Sequence, residues 1–128
     1  MTVDTAERES AAPELLADHV RRFNHGVRTA DWRPMLENFS ADGMIVFDGV
    51  RIGPFRGHDA IERGYREQPP DDTISILELL ESTPDRLVAS FAWDNQPGVR
   101  AGELRFALDG RQIQRLTIRL DRAVAGIR

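Results

Sequence analysis

One carboxylate stands where two short apolar runs meet. In the segment IVFDGVRIGPF, Asp48 lies between Phe47 and Phe55. A carboxylate partly buried against such rings has a raised pKa, which suits a general base that removes a proton next to a carbonyl. Asp48-Gly49 is also a favoured pair for a two-residue hairpin turn. The sequence therefore leaves two interpretations for Asp48, a general base or a turn residue.

Aromatic side chains form the second candidate group. Phe23, Phe55, Tyr65 and Trp93 are predicted to line a pocket for an aromatic or polycyclic ligand. His19 lies on the apolar stripe of the first predicted helix, from which it could reach the same pocket. The alternative is that these residues are simply core, which is the usual fate of aromatic side chains at regular spacing.

Arginines on the last two predicted strands form the third group. Arg105, Arg115 and Arg119 occupy alternating positions together with Glu103 and Thr117. If this face points inward, Arg105 and Arg119 would bind an acidic ligand or an enolate. If it points outward, they would make ion pairs in solvent or at a dimer face.

The composition excludes several kinds of chemistry. The chain has no cysteine and no lysine, so thiolate nucleophiles and lysine Schiff bases are ruled out. No His and carboxylate spacing fits a metal site and no Gly-rich phosphate loop occurs, so we expect neither metal nor cofactor. The net charge of −4 gives no sign of nucleic-acid binding, and no apolar run is long enough for a membrane span. We expect a cytoplasmic protein.

The predicted elements that carry these residues run from helices to strands. Residues 1–12 are polar and are expected to be a flexible arm, and residues 13–128 a single domain. The pattern predicts helices at 13–28, after Asp31 and from His58, a hairpin of strands 44–47 and 50–55, and strands at 73–81, 86–94, 99–108 and 112–120.

Segregation of the helices from the sheet is the α+β pattern. Three amphipathic helices against one curved sheet leave a concavity, which is the default place for a small-molecule site.

This order resembles the nuclear transport factor 2-like superfamily, and within it the SnoaL-like polyketide cyclases and the ketosteroid isomerases. The resemblance rests on the segments FNHGVRTADWRPMLENFSADGMIVFDG, FRGHDAIERGYRE and ELRFALDGRQIQRLTIRL. It implies a cystatin-like cone, in which a curved antiparallel sheet wraps around three N-terminal helices with the pocket inside. It also implies a homodimer through the outer face of the sheet.

The isomerase pattern matches this chain at one position of three. Asp48 occupies the place of the family's general base. Phe23 stands where the family has a tyrosine oxyanion donor, and Gly102 where it has a protonated aspartic acid. Loss of even one such donor typically costs about 10²–10³ in rate, so the standard steroid isomerase reaction is not expected.

Two functions follow from the resemblance and from the residues. The first is an isomerase or cyclase that uses Asp48 as general base on a hydrophobic ketone or polyketide-like substrate. The second is a non-catalytic protein of the same fold that binds a small hydrophobic or aromatic molecule or serves as an accessory subunit.

Overall fold

Three helices pack on one side of the sheet in the computed structural model, which describes residues 3–121, with side chains from residue 13 onward. They are α1 (Val3–Thr29), α2 (Arg33–Leu36) and α3 (His58–Glu67). The first helix begins ten residues earlier than predicted, so Pro13 lies inside it rather than in its first turn. The division into an arm at 1–12 and a domain at 13–128 stays a prediction, and residues 122–128 lie outside the described part.

Six strands form a single sheet, and the four long C-terminal ones lie where the alternation predicted them. The strands are β1 (Phe39–Asp48), β2 (Phe55–Arg56), β3 (Ile74–Thr83), β4 (Arg86–Trp93), β5 (Gly102–Asp109) and β6 (Gln112–Leu120). Their order across the sheet is β2-β1-β6-β5-β4-β3. The predicted α+β class is confirmed, with an open, curved sheet.

All strand pairs but one are antiparallel. The exception is β1 with β6, which run parallel, with Ile45 opposite Leu116 and Phe47 opposite Ile118. The last strand therefore lies between the N-terminal part of the sheet and the meander of β3, β4 and β5.

The predicted hairpin at Asp48-Gly49 is wrong in its details. The strand β1 begins at Phe39, because Phe39 pairs with Ile113 and both side chains are buried in the core. The second strand contains only Phe55 and Arg56, which pair with Ile45 and Met44, so residues 46–54 connect the two paired segments. The segment after Ile45 pairs with β6 instead of turning back, so Asp48 and Gly49 do not form a two-residue turn.

The two faces of the sheet differ in polarity. The inner face carries Ile45, Leu87, Leu104, Phe106 and Leu116, all buried against the helices. The outer face carries the alternate residues of the same strands. Within residues 3–121, no helix has the combination of length and apolar composition that a membrane crossing requires.

Candidate functional site

The apolar interior reaches the surface at one end of the sheet. Trp93 and Leu120 end β4 and β6, and Phe47 is the last residue but one of β1. Phe55 belongs to β2, and its ring lies beside that of Phe47. All four side chains are only half-buried, although they pack on the core cluster. We call these four residues the mouth of the cone.

Behind the mouth lies a group of aromatic rings supplied by helices and sheet. The ring of Phe47 lies 6.2 Å from that of Phe55 and 6.4 Å from that of Tyr65, measured between centroids. Tyr65 in turn packs on Trp32 at 4.8 Å and on Phe23 at 6.4 Å. Burial raises the pKa of the Tyr65 phenol, so it stays protonated at neutral pH. The structure thus brings together three of the residues that were predicted to line a pocket, namely Phe23, Phe55 and Tyr65. Their role in ligand binding stays a prediction.

His19 lies deeper, at the end of the cone away from the mouth. It is 2% exposed and packs edge-on against Phe39 at 6.1 Å and Phe106 at 5.2 Å. Burial lowers the pKa of His19 to about 4, so the imidazole is neutral at pH 7. Its Nδ1 has no hydrogen-bond partner in the part of the chain that the structure describes.

Asp48 lies at the rim of the mouth, but its side chain alternates to the outer face. It is exposed and lies opposite Arg119 in the parallel pair of strands. The burial against Phe47 and Phe55 on which the base hypothesis depends is therefore not present. Its role as a catalytic residue stays a prediction.

Arg105 and Arg119 project from the outer face and do not meet the buried aromatic group. Arg105 Nε donates to Glu103 Oε1 at 3.0 Å, and Arg100 Nη2 donates to Glu103 Oε2 at 2.7 Å. The Arg100 guanidinium, together with Arg105, holds the pKa of Glu103 below its usual range. Because the two arginines and the aromatic rings lie on opposite faces, no single pocket in the sheet contains all the predicted ligand contacts.

Two features of the site were not found from the sequence. Asn24 of α1 donates through Nδ2 to the Ile74 carbonyl at 3.0 Å, and its Oδ1 accepts from the Ile74 amide at 2.9 Å. This pair joins the helix to the edge strand β3 near the mouth. His58 Nε2 donates to the Phe39 carbonyl at 3.0 Å and joins α3 to the start of β1. A single Asn or His gives no sequence signal for such contacts.

A groove of about 290 Å³ lies between the segment 51–55 and the C-terminal end of α3. Phe55 forms one wall and Glu67 and Gln68 another. The ring of Phe55 lies on Gly64, where a Cβ atom would collide with it. Through Phe55 the groove borders the mouth. Among the described residues, no group of three or more His, Asp or Glu side chains could hold a metal ion.

Comparison of the chain with known proteins identifies a relative of solved structure. No protein-family model matches the chain, and no curated protein sequence does. A protein of solved structure from Sphaerobacter thermophilus is 30% identical, covers 80% of this chain and 92% of its own, and superposes with a TM-score of 0.60.

Two further structures share the fold at lower identity. A Mycobacterium tuberculosis protein, solved in complex with estradiol-17β-hemisuccinate, is 16% identical over 84% of this chain and 91% of its own, with a TM-score of 0.63. The epoxide hydrolase/cyclase-like enzyme SalBIII, of pyran ring formation in the polyether salinomycin, is 19% identical over 88% and 92%, with a TM-score of 0.66. The chain belongs to the family of the Sphaerobacter protein, and it shares the fold of nuclear transport factor 2-like proteins.

Proposed function

We propose that the chain binds a small hydrophobic or aromatic molecule inside the cone, through the mouth. The observation that supports this most directly is an aromatic interior that reaches the surface at one end. Phe47 and Phe55 at the mouth continue into Tyr65, Trp32 and Phe23. Apolar and aromatic walls with few polar groups are typical of small-molecule sites.

The buried polar groups favour binding over proton transfer. Among the side chains that the structure describes, no carboxylate is buried, and the buried polar groups are those of His19, Ser40 and Ser90 and the hydroxyl of Tyr65. Phe23 offers no oxyanion donor, and the missing side chain of Gly102 offers none either. General-base catalysis by a carboxylate inside the cone would need a buried Asp or Glu, and stabilisation of an enolate would need hydrogen-bond donors.

The fold shared with other proteins supports the proposed ligand site less directly. The Mycobacterium tuberculosis protein of the same fold was solved with a steroid hemisuccinate. We propose a ligand of comparable character for this chain, flat and largely apolar.

Titration with N-phenyl-1-naphthylamine, an uncharged aromatic dye, tests the proposal. We expect its emission to rise on binding, with affinity reduced at least about tenfold in Leu120→Trp, which fills the mouth. Val46→Trp is the matched control, because Val46 is also half-buried near the end of a strand but points to the outer face. A dye that does not bind, or that binds both variants equally, would contradict a ligand site behind the mouth.

A second candidate is an isomerase or cyclase that uses Asp48 as general base. The position of Asp48 at the rim, one residue after Phe47, favours it, as does the fold shared with SalBIII. Polycyclic ketones and aromatic polyketides should then be turned over by the native chain and not by Asp48→Asn. Equal turnover by both proteins would remove Asp48 from the reaction.

We also propose a homodimer through the sheet. The edge strand β3 exposes Leu77, Leu79 and Leu80 at 41%, 38% and 43%. Light scattering on Leu79→Glu should show a shift from dimer to monomer, because a carboxylate in an apolar contact is costly to bury. Val99→Glu is the control, since Val99 is also exposed but lies outside the strands. A native chain that is monomeric at all concentrations would refute the dimer.

A further inference from the structure

Among the side chains that the structure describes, the imidazole of His19 is the one polar group at the deep end of the cone without a hydrogen-bond partner at every buried nitrogen. Its Nδ1 is buried and, in the part of the chain that the structure describes, has no hydrogen-bond partner. Buried polar atoms are nearly always paired, because an unpaired one loses its hydration without compensation. An orphaned nitrogen in a native interior therefore calls for a physical explanation.

The neighbours of His19 do not offer a partner. The rings packed against it belong to Phe39 and Phe106, which have no conventional acceptor or donor. The nearest charged groups on its own helix are engaged elsewhere. Asp18 accepts from Arg22 Nε at 2.8 Å and from Asn38 Nδ2 at 3.1 Å.

Arg22 is engaged as well, because its Nη1 donates to the Pro34 carbonyl at 2.6 Å. The side chains of Asp18 and Arg22 thus join α1 to α2 and to Asn38, the residue before β1. The imidazole faces the apolar interior instead.

We propose that His19 Nδ1 is the hydrogen-bond partner of a hydroxyl group at the deep end of a bound ligand. The proposal rests on the proposed ligand site inside the cone. A hydroxyl suits a neutral imidazole in either tautomer, because it can donate to an unprotonated Nδ1 or accept from an Nδ1–H.

The geometry also limits the size and charge of the ligand. Phe106, beside His19, lies opposite Leu116, and the mouth residue Leu120 is four residues further along β6, about 13 Å at the rise of a strand. A molecule that reaches from the mouth to His19 must therefore be elongated. A carboxylate at the deep end would be buried without a cation, since no buried Arg occurs among the described residues.

Access to His19 requires the aromatic rings to move. Phe23 lies one helical turn nearer the mouth and packs on Tyr65. Ligand rings must separate these two side chains and replace their mutual contact with contacts of the same kind. The ligand therefore gains its affinity from ring packing and its orientation from His19.

Two probes of nearly equal shape separate these contributions. The first is 2-naphthol and the second is 2-methylnaphthalene, which has a methyl group in place of the hydroxyl. We expect the native chain to bind 2-naphthol about fivefold more tightly, the effect of one net hydrogen bond. His19→Phe should abolish this preference, and His19→Asn, whose amide places a polar atom near the position of Nδ1, should restore part of it.

A spectroscopic measurement on the native chain keeps the test independent of whether the variants fold. The ¹⁵N resonance of His19 Nδ1 should shift on addition of 2-naphthol and not on addition of 2-methylnaphthalene. If both probes bind but neither the Nδ1 resonance nor the preference depends on the hydroxyl, His19 is a packed core residue and the inference is wrong. If neither probe binds the native chain and N-phenyl-1-naphthylamine does not bind it either, the proposed ligand site itself is refuted.

Discussion

The side-chain amide of Asn24 should contribute more to stability than an exposed amide such as that of Asn95. Its side chain makes two hydrogen bonds to the backbone of Ile74, at 3.0 and 2.9 Å. Ile74 lies on β3, which has a neighbour on one side only, so these bonds pair backbone groups that the sheet leaves free. Asn24→Leu keeps the number and branching of the side-chain heavy atoms and removes both bonds.

The expected loss is about 2 kcal/mol, since each net hydrogen bond contributes about 1 kcal/mol and Ile74 is 4% exposed. For a domain of this size that lowers Tm by roughly 6–10 °C. Urea unfolding followed by circular dichroism measures the change in free energy, and hydrogen exchange should show faster exchange at the Ile74 amide.

Asn95→Leu provides the matched control for Asn24→Leu. The side chain of Asn95 is exposed, so the same chemical change there should alter the free energy of unfolding by less than about 0.5 kcal/mol. Equal stability of the two variants would mean that water or a shifted strand satisfies Ile74 as well as Asn24 does, and the reasoning from the two bonds would fail.

Three further perturbations have expected outcomes. Gly102→Ala should cost at least about 2 kcal/mol in chemical denaturation, because its Cβ would collide with the Arg119 carbonyl oxygen, which is fixed by the sheet. Gly64→Ala should change stability by less than about 1 kcal/mol, because the Phe55 ring can rotate away and alanine favours the helix; a large loss would show that Phe55 cannot move. Because burial lowers the pKa of His19 from 6.5 to about 4, the unfolded chain takes up this proton first as the pH falls. Stability should therefore decline from about pH 6.5 to about pH 4, by about 3 kcal/mol in total, and unfolding of His19→Phe at both pH values should lack this part of the decline.

The long elements of the fold follow from local patterns in the chain. Alternation over 86–94 and 112–120 predicted β4 and β6. Burial alternates along β6, whereas residues 87–92 of β4 are all buried. The same logic failed for 50–55, where Gly53 and Pro54 interrupt pairing and only Phe55 and Arg56 join the sheet. Short strands depend on their partners more than on their own composition.

The sequence predicted which types of residue form the site, but it did not predict how they are arranged in space. Phe23 and Tyr65 were predicted to line one pocket or to belong to the core, and in the structure their rings pack together in the buried interior. The sequence alone does not determine which face of the sheet carries Arg105 and Arg119. Alternation assigns residues to two faces but does not show which face is buried. The exposure of Asp48 follows from the parallel register with β6, a long-range contact that no local pattern contains.

That parallel register has a consequence for how the chain acquires its structure. Because β6 lies between β1 and β5, the strands formed earliest in synthesis have no central neighbour until the last strand has been made. The helix α1 can already pack on β3, but β1 lacks its neighbour β6 until then, and contacts so distant in sequence are slow to form. Removal of β6 would not shorten the sheet at an edge but divide it into two pieces.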